Sequence, residues 1–262
     1  MAQDQPPRSP APVPPQEKQT DQLSRQLADL PETCRRTLLS LYGNQPQPGA
    51  DGALHPIDAT TRIKVEEGLE LLRLGREIKA SALLEIGMAY GFSSQFLLAA
   101  LAPVGGRLVA VDPYQHSDWH GIGNGLVKRS LAALAKDPAM AGPLAFHCIE
   151  ERSERAFLQL EAAGERFDLI FIDGYHRFDD VLIDVTLAAR LCRPGGVLVL
   201  HDLWLPSVRG VVSFLEANRR DLQRLPTPCR NLGIFQVVGS DQRNWDHFVA
   251  FANGGEPWLE EA

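Results

Sequence analysis

From about residue 60 onward, short apolar runs alternate with stretches of helical spacing. The runs ALLEIG, RLVAVD, LAFHCIE, FDLIFID and GGVLVLHD almost all close on a polar residue, and segments around 96–101, 126–134, 156–162 and up to 191 lie between them. Apolar strands joined by helices predict an α/β fold: a mostly parallel sheet covered on both faces and wound by right-handed crossovers. The run LGIFQVV, behind the turn-rich PTPCRN, is expected to fold back as an antiparallel edge strand. Val65, Leu69 and Leu72 repeat at the period of a helix that packs just before the first strand.

The flanks read differently. Residues 1–20 hold six prolines and four glutamines, too little apolar surface to offset the entropy of ordering, so a disordered tail is expected. Residues 21–59 carry a helical leucine pattern and the breaker-rich NQPQPGADG, expected to form a lid or partner-contacting appendage. Residues 60–240 make the main domain, and residues 241–262 are taken as a C-terminal tail.

A chain of 262 residues suits one large domain, and its formal charge of -7 disfavours a nucleic-acid partner. Cys34, Cys148, Cys192 and Cys229 form no CxxC pair, which points away from zinc ribbons and disulfide scaffolds and towards reduced thiols in a cytoplasm. MAQDQPPRSP lacks a leader pattern, and no apolar run approaches a bilayer span, so no membrane partner is expected.

In a doubly wound sheet, ligands sit beyond the carboxyl ends of the strands. Glu85, Asp112, Asp173 and Asp202 close four of the runs and are expected to converge on one crevice. After the first strand the glycines of EIGMAYGFSS allow a tight turn, but their GxxxG spacing is not the GxGxxG of a dinucleotide site. Asp112 is placed to accept hydrogen bonds from ribose hydroxyls. Asp173, His176, His201 and Asp202 gather acids and imidazoles at two strand tips. Two readings stay open for each histidine: reactive group, or helix cap (His176) and core residue (His201). Asp179, Asp180 and Asp184 read as solvated acids at a helix start. Trp119 is read as stacking on a ligand or packing, and Trp204 as lining a pocket or packing.

LLEIGMAYGFSS, AVDPYQ and FDLIFIDG followed by LCRPGGVLVLHD resemble class I S-adenosylmethionine-dependent methyltransferases over residues 60–240. The stretch from IDGYHRFDD to VVSFL is similar to the macrocin and mycinamicin sugar O-methyltransferases and to cephalosporin-hydroxylase-like proteins. The resemblance implies a Rossmann-like, seven-stranded sheet with an antiparallel final strand, and O-methylation of a small-molecule hydroxyl, such as one on a sugar or glycosylated natural product. It assigns Glu85, Gly87, Ala89, Gly91 and Ser93 to the amino-acid part of S-adenosylmethionine, Asp112 to ribose, and Arg152 with Ser153 to adenine. Asp173 also borders the cofactor. It further implies that Asp173 and His176 are catalytic, His176 as base, and that Asp173, His201 and Asp202 hold a divalent ion, magnesium or manganese; a metal-free site in which His176 or His201 alone accepts the proton stands beside that reading. His201 departs from the family pattern, which has an acid there. A homo-oligomer is also implied. A nicotinamide-dependent oxidoreductase or a catalytically idle binding protein stands as the alternative.

Overall fold

The computed structural model describes residues 16–138 and 140–252. Helices α1 (Gln16–Gln26) and α2 (Glu32–Tyr42) precede an antiparallel ribbon of β1 (Gln47–Pro48) and β2 (Leu54–His55). A 3-10 turn, Ala59–Thr61, then leads into α3 (Val65–Glu77). Strands and helices alternate from there: β3 (Ala82–Ile86), α4 (Phe92–Leu101), β4 (Gly106–Val111), α5 (Ile122–Leu134), β5 (Leu144–Ile149) and α6 (Ser153–Ala162). The second half runs β6 (Phe167–Ile172), α7 (Phe178–Leu191), β7 (Cys192–Leu200), α8 (Pro206–Asn218), β8 (Leu222–Leu225) and β9 (Gly233–Val237).

The seven-stranded sheet has the order β5-β4-β3-β6-β7-β9-β8, and only β9 runs antiparallel to its neighbours. Strand alternation divides the core in two. Leu83, Leu108, Leu169 and Val197 face α2 to α5, while Leu84, Val109, Ile170 and Leu198 face α6 to α8. The chain moves outward from β3 to β4 and β5, then crosses back to β6 on the other side of β3. That reversal opens a crevice at the carboxyl ends of these strands.

The structure refines three expectations. The LGIFQVV strand is antiparallel, but β8 covers it and forms the edge. LQRL buries only its first residue fully, so no apolar run announced it. Residues 21–59, expected as a lid or partner-contacting appendage, pack on the main domain: Leu27, Leu30, Cys34, Leu38 and Leu41 are buried in the same cluster as α4. Every residue of α4 is buried, so this helix needs a cover on its far side as well as the sheet beneath it. Finally, α1 begins at Gln16, inside the stretch expected to be disordered, and residues 1–15 of that stretch lie outside the described residues.

The C-terminal segment docks on α8 as far as it is described. Asn218 exchanges two hydrogen bonds with the Val249 backbone (2.7 and 2.9 Å), and Phe251 meets Phe214 edge-on. Residues 253–262 lie outside the described residues. Among the described residues no helix is long and apolar enough to cross a membrane.

Candidate active site

A cavity of about 660 Å³ opens over the carboxyl ends of β3, β4, β6 and β7. Ten of the expected residues border it: Gly87, Ala89, Ser93, Asp112, Arg152, Ser153, Asp173, His176, His201 and Asp202. Glu85 and Gly91 do not.

The turn after β3 is held from below and from the side. Gly87 has φ +83, and a Cβ there would stand 2.1 Å from the Asp173 carbonyl oxygen, so only glycine lets this backbone reach the end of β6. Asp112 fastens the next residues, its Oδ2 accepting the backbone N–H groups of Met88 (3.2 Å) and Ala89 (2.8 Å) and the Gln115 side-chain amide (2.9 Å). Its Oδ1 accepts one bond, from the Tyr114 N–H, and keeps acceptor capacity. Glu85 lies fully buried beneath the turn instead of facing the cavity. Its two oxygens accept the hydroxyls of Ser93 and Ser94, which pin the first turn of α4 to β3. Burial, outweighing those bonds, pushes its carboxyl up to about 7.

At the tips of β6 and β7, acids and imidazoles interlock. His201 Nδ1 lies 2.9 Å from Asp173 Oδ1 and 3.2 Å from Asp202 Oδ1. His176 Nε2 stands 3.0 Å from Asp202 Oδ2 and 3.5 Å from Asp173 Oδ1, near enough to pair by charge. It is nonetheless out of line for a directional hydrogen bond, and is left without one among the described residues. Burial alone would discharge these groups. Proximity reverses the outcome: against desolvation, Asp173 and Asp202 draw His176 up to about 9, and with Glu67 they draw His201 up to about 11. Against burial likewise, the imidazoles hold Asp202 down at about 2 and Asp173 below its ordinary value. Asp202 also adopts φ +61, a conformation that a non-glycine residue takes only where surrounding contacts compel it.

Residues 84–203, which hold this turn and both strand tips, match the family model described as a methyltransferase domain. The match spans 120 of the 262 residues, from β3 to the residue after Asp202. Solved methyltransferase structures share its fold. The O-methyltransferase TomG from Streptomyces achromogenes, in complex with S-adenosylmethionine, is 22% identical over 86% of this chain and 99% of its own, with a TM-score of 0.56. The O-methyltransferase from Bacillus cereus is 21% identical, covers 85% of this chain and 97% of its own, and has a TM-score of 0.56. CalS11, a TDP-rhamnose 3'-O-methyltransferase of calicheamicin biosynthesis, is 12% identical over 86% and 96% of the two chains, with a TM-score of 0.52. No curated protein matches the sequence.

Within the matched segment, Arg152 pairs with Glu154 (2.7 Å) and lies 5.9 Å from the centre of the Tyr175 ring. Tyr175 in turn hydrogen-bonds Tyr114 hydroxyl to hydroxyl, joining the ends of β4 and β6. Trp119 borders the cavity and packs edge-on against Tyr90, which bears out packing. Trp204 does neither: half exposed and away from the cavity, it donates its indole N–H to Asp202 Oδ1 (2.9 Å). Asp184 is no solvated acid. It is 2% exposed, and burial raises its carboxyl to about 7. Asp180 borders the cavity.

Sequence reasoning missed Glu67 and Asn231, which hold the far side of His201, and the Tyr114–Tyr175 pair. Tyr114 and Tyr175 sit beside motif residues and could have been singled out for that. Glu67 carried no such signal.

Proposed function

We propose that the protein transfers the methyl group of S-adenosylmethionine to a hydroxyl oxygen of a small molecule, a sugar or glycosylated natural product. The observation that carries this reading is the cluster of Asp173, His176, His201 and Asp202 beside a glycine turn on one cavity. An alcohol needs orientation and a proton acceptor before it can displace a sulfonium, and such a cluster supplies both. The sugar O-methyltransferase among the structural neighbours supports the acceptor class.

The cofactor, when bound, supplies an electrophilic methyl group. Of the residues bordering the cavity, we assign Gly87, Ala89 and Ser93 to the cofactor's amino-acid part, the spare acceptor of Asp112 to one ribose hydroxyl, and Arg152 and Ser153 to adenine.

A divalent ion fits the donors. One ligand atom each from Asp173, His201 and Asp202 lies within 4.8 Å of the others, and the mixed oxygen and nitrogen set suits manganese better than magnesium. Such an ion would lower the pKa of an acceptor hydroxyl. His176, which borders the cavity, is the residue we assign to take the hydroxyl proton. It does so as the neutral imidazole, a form that positive charge brought into the cavity favours.

Calorimetric titration with S-adenosylmethionine and with nicotinamide dinucleotides, followed by transfer of labelled methyl to a panel of sugars and glycosides with and without chelator, tests the reading. Binding of S-adenosylmethionine and label on an ether oxygen are expected. Nicotinamide binding, or label on nitrogen or carbon only, would overturn it.

A further inference from the structure

Glu66 and Glu67 both lie in the first turn of α3, upstream of residues 84–203, yet they have different surroundings. Glu66 is exposed, as an acid serving a helix N-terminus usually is. Glu67 is 2% exposed. A carboxylate at that depth costs several kcal/mol unless hydrogen-bonded donors replace its water. Capping accounts for only one of its donors, the Lys64 backbone N–H at 2.9 Å from Oε2. The same oxygen lies 3.0 Å from His201 Nε2, and the Asn231 side chain also bonds the carboxylate. The Asn231 Oδ1 accepts the Trp204 backbone N–H, which turns its amide nitrogen towards the Glu67–His201 pair, 3.2 Å from His201 Nε2; with a proton on Nε2, the amide hydrogens serve the Glu67 carboxylate.

An ionised carboxylate only accepts, so its bond to His201 requires the proton on Nε2. The opposite nitrogen, Nδ1, is then the one turned to Asp173 and Asp202. Phe171, edge-on to the ring at 5.9 Å, packs against the same imidazole. We infer that Glu67 is a positioning residue of the active site: by holding the Nε2–H of His201 it fixes the ring and presents Nδ1 to the Asp173–Asp202 pair. Such outer carboxylates orient histidines in many sites and set which nitrogen works. The site therefore extends to a helix outside the matched domain. The effect on turnover rests on the methyl-transfer reading above; the ring geometry does not.

The test compares Glu67→Gln, Glu67→Leu and the exposed control Glu66→Gln in the full chain. The first readout is the imidazole proton and nitrogen spectrum of histidine-labelled protein without cofactor or ion, His201 being assigned with a His201→Asn variant. Wild type and Glu66→Gln are expected to show a His201 Nε2 proton protected from exchange. Glu67→Leu should lose that protection. Glu67→Gln keeps size and an acceptor oxygen, so it remains informative if the leucine variant does not fold, and its Nε2 proton should move upfield as the acceptor loses its charge. The second readout separates kcat from cofactor binding: Glu67→Leu should lower kcat about 10- to 100-fold with the Kd for S-adenosylmethionine changed less than 3-fold. A protected, unshifted Nε2 proton in the Glu67 variants overturns the proposal, as does an equal loss of kcat in Glu66→Gln. If wild type transfers no methyl group, the functional reading fails and the spectra alone decide the role of Glu67.

Discussion

At the scale of single residues, the site depends on carboxylates and imidazoles holding one another in their charged forms at depth. His176→Ala should lower turnover about 10²- to 10⁴-fold while the Kd for S-adenosylmethionine stays within a few fold, measured by methyl release and titration. Equal turnover would remove His176 from the proton path. Asp184 makes a different prediction. Its folded carboxyl is raised to about 7 by burial, against roughly 3.9 unfolded, so the stability it lends is complete below about pH 4 and lost as pH rises through 7. Asp184→Asn should therefore gain on wild type, by on the order of 1 kcal/mol, between pH 5 and pH 8 in denaturant unfolding. Parallel pH dependences would show that folding does not raise the Asp184 carboxyl. Read from the chain alone, this acid resembles its exposed neighbour Asp179, and only packing separates them. Glu67 was hidden for a related reason, standing 134 positions from its partner His201.

At the scale of elements, the turn between β3 and α4 is the most constrained piece of backbone. Gly87→Ala would place a methyl group against the Asp173 carbonyl and demand a positive φ of a residue with a Cβ. We expect a loss of about 2–4 kcal/mol, with weakened S-adenosylmethionine binding in whatever folds. Thermal unfolding and titration check it; wild-type values for both would mean that the turn can move away from β6. The glycine spacing made this turn visible in advance, whereas the path of Glu85 beneath it was not. The residue closes an apolar run just as Asp173 does, but strand alternation and the hydroxyls of Ser93 and Ser94 draw its side chain under α4.

At the scale of the molecule, the N-terminal helices belong to the fold. Leu27, Leu38 and Leu41 are fully buried in the cluster that covers α4 and α5. A chain beginning at residue 60 would expose that face, and we expect it to lose cooperative unfolding and to aggregate, as judged by calorimetry and light scattering. A soluble, cooperatively folding fragment that still binds S-adenosylmethionine would show that residues 21–59 are dispensable to the fold.

The amino-acid sequence by itself determined the alternation of strand and helix, the antiparallel last strand, the glycine turn and the polar residues at the strand tips. Each of these is written in a local period or in a short motif whose chemistry is a property of neighbouring residues. Tertiary structure alone decided which strand became the edge, which acids are buried, and that Glu67 and Asn231 stand behind His201. Those outcomes depend on what another part of the chain places against a residue, and burial changes the energy of a carboxylate far more than any neighbour along the chain does.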